Sequence, residues 1–182
     1  MIEILDNLDV LSRLHLDLTT VEMCGTALGA PATSIPRRII VQAQSSVVAR
    51  YRGGTSLDSE YYDANGRRLT LDEVIDHAAQ SDGFLYCADK LTYKIRAGAV
   101  VGFAIYGPHL SHFAHLTSYE DLLTVFGTPD RAQEDEAYGE LMGYDNYYWG
   151  AQKHVRWDAW DDRISLINLG AFEGNVAAAP GR

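Results

Sequence analysis

The sequence predicts an α+β fold in which repeated helix–hairpin units form a largely antiparallel sheet with helices on one face, and three observations carry that expectation. The string Leu-Thr-x-x-Glu occurs at Leu18–Glu22, Leu69–Glu73 and Leu116–Glu120. A Thr at the cap accepts from the backbone N–H three residues on, and a Glu there reaches back to the cap's own N–H, so each string reads as a helix start capped by Thr19, Thr70 or Thr117. The first and third copies also stop alike, with Gly29 then Pro31 and Gly127 then Pro129 at matching offsets. Finally, Leu91–Gly107 and His154–Gly170 are both seventeen residues long, and each reads as two short strands around a tight turn.

Taken in order, the chain opens with Ile4, Leu5, Leu8 and Leu11 at helical spacing, then alternates Leu14, Leu16 and Leu18 into the first cap. Arg38–Ala43 and Ser46–Tyr51 are strand-like, and Gly53-Gly54 ends them in a turn. Asn65-Gly66 is the strongest turn signal, because both residues tolerate positive φ. A second helix follows over Leu71–Ala79, strands over Phe84–Cys87, Leu91–Arg96 and Val100–Tyr106, and a third helix over Ser118–Phe126. Strands at Tyr147–Trp149, Val155–Trp157 and Ile164–Leu169 complete the set. The expected organisation is one domain over residues 1–173 built of repeats 18–68, 69–115 and 116–170, with a frayed tail over 174–182.

Composition places 182 residues, 47% hydrophobic and 22% charged, in the ordinary globular class. The start lacks a basic stretch followed by a long apolar run, and no run approaches the length of a spanning helix, so a cytoplasmic protein with no membrane partner is expected. Two cysteines, Cys24 in the first expected helix and Cys87 in a strand, suit packing in a reducing compartment.

The third unit, Thr117-x-x-Glu120, Phe126-Gly127-Thr128-Pro129-Asp130, Tyr147-Tyr148-Trp149, Val155-Arg156-Trp157 and Ile164-Ser165-Leu166-Ile167, resembles the helix-plus-sheet unit of β-lactamase-inhibitor-like proteins and of small outer-membrane assembly lipoproteins. The resemblance covers mainly Leu116–Gly170 and implies an antiparallel sheet that presents an aromatic face to another protein, with no catalytic residues to carry over. The sequence departs from those relatives in having no signal peptide, lipidation cysteine or disulfide pattern.

Charge is local. Residues 1–68 carry net −1, 69–115 net −2 and 116–170 net −7 of the total −10. The excess falls where the third unit outgrows the second, cap Leu to hairpin start being 22 residues in one and 38 in the other. The additional residues lie within Asp130–Trp149, read as a long functional loop, where Glu134, Asp135, Glu136, Glu140 and Asp145 interleave with Tyr138, Tyr144, Tyr147, Tyr148 and Trp149. Tyrosine and tryptophan supply rigid contact area and carboxylates steer a cationic partner, so these ten residues are the candidate partner-binding set. The same charge repels phosphate backbones, which excludes nucleic acid as a partner class.

Catalytic candidates are thinner, and neither a catalytic residue nor a cofactor is expected. His109, His112 and His115 have imidazoles suited to zinc or copper, but steps of three fan the rings around a helix and alternate them on a strand, so they read as a polar connector. Cys24 as nucleophile would need His15 or His77 beside it. Gly53-Gly54-Thr55-Ser56 lacks the lysine and glycine spacing of a phosphate loop, and Asp158, Asp161 and Asp162 suit a hairpin turn. The expected function is a non-enzymatic binding module, an inhibitor or immunity-type protein acting on another protein such as a basic toxin or enzyme. The competing classes are a ligand-binding protein or enzyme that uses the sheet face, and a structural or assembly adaptor.

Overall fold

Where a helix forms and where it fails is decided at the caps. In the computed structural model, which describes residues 1–52 and 59–172, Thr70 caps helix α1 (Leu71–Gln80): its hydroxyl accepts from Glu73 N–H and Glu73 reaches back to Thr70 N–H. Helix α2 (Tyr119–Phe126) has the same reciprocal box one residue later than the sequence suggests, with Ser118 as N-cap and Asp121 as its partner. Thr117 is not the cap; its N–H donates to the same Asp121 carboxylate. At its far end Gly127, at φ +80°, takes a conformation that a side chain would strain.

The first copy makes no α-helix. Asp17 Oδ1 accepts from both Thr19 N–H and Thr19 Oγ1–H, so the hydroxyl that would cap a helix is spent as a donor. A single 3-10 turn, Leu18–Thr20, gives way to a strand at Val21, where the β-branched run Thr19-Thr20-Val21 is at home. Gly29 and Pro31 therefore stop no helix: Gly29 N–H donates to Val100 and Pro31 bridges to Ala99. The spacing of Ile4, Leu5, Leu8 and Leu11 likewise yields two 3-10 segments, Ile4–Asp6 and Leu8–Ser12, broken by the non-helical Asn7. The turn at Gly53-Gly54-Thr55-Ser56 and the tail 174–182 lie outside the described residues.

The strands are β1 (Ile2–Glu3), β2 (Val21–Met23), β3 (Thr26–Ala27), β4 (Ile40–Ser45), β5 (Ala49–Arg52), β6 (Ser59–Tyr62), β7 (Arg68–Leu69), β8 (Gly83–Cys87), β9 (Leu91–Arg96), β10 (Ala99–Tyr106), β11 (Arg131–Ala137), β12 (Glu140–Tyr148), β13 (Lys153–Asp158) and β14 (Arg163–Gly170). Eight of them form one antiparallel sheet in the order β11-β12-β13-β14-β10-β9-β8-β4; β1–β3 and β5–β7 form two small three-stranded sheets. The Asn65-Gly66 pair lies between β6 and β7, as its turn chemistry suggests. The chain is thus α+β with a large antiparallel sheet.

Alternation sorts the large sheet into two faces. The inward rung Ala43–Leu85–Tyr93–Phe103–Leu169–Lys153–Tyr148 and its neighbour Leu91–Ile105–Ile167–Val155–Asn146 are almost wholly buried. Over them lie Val74, Ile75 and Ala78 of α1, Leu122 and Phe126 of α2, and apolar residues of the N-terminal segments. Tyr93 Oη–H donates to Met23 O at 2.6 Å, pinning β2 to this core.

Candidate protein-binding surface

The residues 130–149 form a β-hairpin, not the long loop that their length implies. β11 pairs with β12 from Arg131↔Tyr147 to Ala137↔Glu140, and the turn between them is made by Tyr138 and Gly139, at φ +57° and +80°. That is the backbone sign pattern of a tight hairpin turn, which fits the right-handed twist of the strands. Asp130 closes the other end, where its Oδ2 accepts from Trp149 N–H at 2.7 Å.

The hairpin divides the ten candidate residues. Tyr148 is a core residue, 2% exposed, and its hydroxyl donates to Gly127 O, which removes it from any contact surface. Tyr144 faces the helices, stacked on Tyr119 with ring centroids 4.0 Å apart. Trp149 is half-buried in a 3-10 turn. Asp145 is not a solvated loop carboxylate: it lies on the helix-free face, paired with His154 Nε2 at 2.7 Å and Arg156 Nη1 at 3.0 Å. The exposed residues are Glu134, Glu136, Tyr138 and Glu140, with Asp135 and Tyr147 partly covered. β11 is the outermost strand, paired on one side only.

The helix-free face carries a rung that crosses all eight strands: Gln42, Tyr86, Thr92, Ala104, Asn168, His154, Tyr147, Arg131. Its second half is a polar network. Asn168 Nδ2 lies 3.1 Å from His154 Nδ1, His154 Nε2 meets Asp145, and Arg156 joins Asp145 to Asp135 on the edge strand. Tyr147 stacks on His154 at 4.8 Å, and the Arg131 guanidinium lies over the Tyr147 ring. The hydrogen bond to His154, then the charges of His154 and Arg156, holds the Asp145 carboxyl below the usual carboxylate range despite burial. Burial works against the Arg156 charge, but Asp135 and Asp145 outweigh it and push that pKa up. Both ring nitrogens of His154 lie within hydrogen-bond distance of a neighbour, Asp145 Oδ1 on one side and Asn168 Nδ2 on the other. The Asn168 Oδ1 is buried with no hydrogen-bond partner among the described residues.

At the end of the sheet where Tyr138 projects, the β13–β14 turn stands alongside: Ala159 N–H donates to Met142 O at 3.0 Å. Asp158 Oδ1 accepts from Trp160 and Asp161 N–H, the turn chemistry expected for that Asp, and Trp160 is left 66% exposed. Tyr138 and Trp160, both exposed, thus stand at the turns of neighbouring hairpins, and the same turns and strand ends carry Glu136, Glu140, Asp158, Asp161 and Asp162. His154, Arg156, Asn168 and Trp160 were not among the candidates from the sequence. The signal present was the i, i+2 spacing of His154 and Arg156, which becomes meaningful only with the register that places both beside Asp145.

Elsewhere the chemistry-bearing residues are scattered. His109, His112 and His115 lie in or next to the 3-10 segment Gly107–Phe113; His112 Nε2 meets Asp9 Oδ1 at 2.7 Å and His115 meets His112 O. No group of three or more potential metal-ligating side chains occurs among the described residues. Cys24, at a turn with φ +50° and not in a helix, and Cys87 are both free thiols, and burial pushes the Cys87 thiol up to about 12. Among the described residues no helix is long and apolar enough to cross a membrane. In comparisons with known proteins, no family model, curated protein or solved structure matches this chain.

Proposed function

We propose that the chain is a non-enzymatic protein-binding module of the inhibitor or immunity type, acting in the cytoplasm on a basic partner through the acidic, aromatic end of its sheet. The observation that carries this reading is Tyr138. It holds a left-handed backbone conformation that costs a non-glycine residue roughly 1–2 kcal/mol, and its ring is fully exposed, so no packing of the ring offsets that cost. Asn or Gly would make the same turn without the strain. A ring held out at the tip among carboxylates is suited to anchoring a contact whose association the carboxylates steer.

The same reading takes residues 69–115 and 116–170 as copies of one helix-and-sheet unit. What supports it is the matching order of capped helix and antiparallel strands, and the matching register of the β9–β10 and β13–β14 hairpins. A second reading, a ligand-binding protein that uses the helix-free face, is favoured by the unpartnered Oδ1 of Asn168.

The test is affinity capture from the native source, the neighbouring gene product first, followed by binding kinetics on the retrieved protein. The expected partner is net basic, is released by salt, and binds Tyr138→Ala at least about tenfold more weakly, mainly through faster dissociation. A partner whose affinity for Tyr138→Ala and Glu136→Lys is unchanged would refute the assignment of this surface.

A further inference from the structure

The two edges of the large sheet are finished differently. β4, outermost on one side, is interrupted by a register shift between Ile40 and Gln42, and α1 packs against it. An irregular, covered edge is a poor template for a further strand. β11, outermost on the other side, pairs with β12 from Arg131 to Asp135 without a shift, contains no proline, and has no described strand beyond it. Arg131, Ala132, Gln133 and Glu134 are all exposed.

Alternation decides which main-chain groups this edge presents. Tyr147 O accepts from Asp130 N–H, so the Tyr147 carbonyl faces β11, and so do the main-chain groups of Asp145 and Gly143 at alternate positions of the same strand. Their register partners Gln133 and Asp135 therefore direct N–H and C=O to β12, while those of Ala132 and Glu134 point out of the sheet. Donors and acceptors on alternate residues are what an added strand pairs with. Charge selects that strand. Glu134 lies on the helix side of the edge, opposite Tyr144, and Asp135 on the helix-free side, opposite Gly143, with Glu136 next to them. Asp135 is paired with Arg156, whereas Glu134 and Glu136 stand exposed. A second copy of this chain, with its net charge of −10, would set like charges against them; a basic strand would neutralise them.

We infer that β11 is the pairing edge for an extended basic segment of the protein partner, joined by main-chain hydrogen bonds to Ala132 and Glu134 with its Lys or Arg side chains against Glu134 and Glu136. The inference rests on the reading of the acidic sheet end as a binding surface and adds how the partner is held: backbone to backbone, as a further strand of the sheet.

The probes are three capped peptides titrated into the full chain: Lys-Thr-Val-Arg-Val-Lys, the same sequence N-methylated throughout, and Glu-Thr-Val-Glu-Val-Glu. Hydrogen exchange of the β11 amides and the amide shift of Gly139 are followed. At saturation the basic peptide should slow exchange at Ala132 and Glu134 at least about tenfold, and its affinity should fall as salt rises. The N-methylated and acidic peptides should leave both amides exchanging as in the free chain. Ala132→Pro keeps every charge and removes an outward N–H, so it should melt near wild type yet lose the protection of Glu134. Glu134→Lys should weaken the basic peptide at least about tenfold. Exchange at Ala132 and Glu134 that the basic peptide leaves unchanged, or that the N-methylated peptide slows equally, would overturn the pairing. Protection of these amides that grows with protein concentration alone would make a second copy the occupant and overturn it as well. If Gly139 responds and the β11 amides do not, the pairing fails while the acidic sheet end stands as a binding surface. Protection at β11 with Gly139 unmoved supports the pairing and removes the hairpin tip from the contact.

Discussion

The β9–β10 and β13–β14 hairpins lie side by side in one sheet and point three pairs of side chains at the same core, yet fill them differently. The first pairs Leu91 with Ile105, Tyr93 with Phe103 and Ile95 with Val100; the second pairs Lys153 with Leu169, Val155 with Ile167 and Trp157 with Ile164. Both carry a register shift between the second and third pairs. The strand registers match and the turns differ, two residues (Ala97-Gly98) against four (159–162), so within the strands the contrast lies in the side chains. Where the first hairpin buries Leu91, the second buries a lysine that is 0% exposed, its Nζ donating to Leu11 O at 2.8 Å and Arg13 O at 3.0 Å beneath the Phe126 and Tyr148 rings. Left-handed non-glycine residues occur in both halves of the sheet, Ala97 in the β9–β10 turn and Tyr138 in the β11–β12 turn, so the contrast rests on the buried Lys153 and the ion-paired Asp145.

The largest expected effect breaks the comparison at its first rung. Leu91→Ala should cost about 2–5 kcal/mol in chemical unfolding, since it empties a filled core position. Lys153→Met, of similar length, removes the buried charge but leaves Leu11 O and Arg13 O without their donor, so it should cost about 1–3 kcal/mol, less than Leu91→Ala. A loss in Lys153→Met equal to that of Leu91→Ala would show that the lysine is required for folding and has no counterpart in Leu91.

The pH dependence sharpens the same point. Burial brings the Lys153 pKa down to about 7, while the two carbonyls and the ring faces oppose that shift. Between the folded and unfolded pKa values the unfolded chain binds more protons, so stability rises as pH climbs from about 7 toward 10, by about 1.4 kcal/mol for each unit separating the two values. Below the folded value the group contributes no slope. Lys153→Met should flatten this rise in melts run from pH 6 to pH 10; a rise that persists in the variant would assign it to another group. On the acid side, Glu73 is held at about 2 by Thr70 N–H and then by Arg67, so what it contributes is present above its ordinary pKa and is lost as pH falls toward 2.

A smaller effect separates the two helix starts. Ser118→Ala should cost about 0.5–2 kcal/mol, as should Thr70→Ala, whereas Thr117→Ala should cost less because its backbone N–H still reaches Asp121. Equal losses at Thr117 and Ser118 would mean that the cap is shared.

Much of the fold was legible because it rests on local chemistry. The Thr70 box and the Gly127 stop are written in three or four adjacent residues, and the two seventeen-residue segments became hairpins because alternation and turns suffice to make one. The string at Leu18 reads as a helix start like the other two, but Asp17, one residue before it, takes the Thr19 hydroxyl. The polar network was illegible for a different reason. His154, Asp145 and Asn168 are joined by register across three strands, and nothing in their spacing along the chain records which strands pair. Asp130–Trp149 reads as a loop in sequence and folds as a hairpin, since Tyr138-Gly139 is a poor hairpin turn by residue preference and is occupied all the same.

Tyr138→Asn tests the central claim most directly, with melting and partner affinity measured on the same preparation. Asn relieves the left-handed strain and deletes the exposed ring, so the variant should melt at or above wild type, by up to about 1 kcal/mol, and bind the partner at least about tenfold more weakly. A variant that gains stability and keeps full affinity would contradict the claim that this tip is held strained for contact.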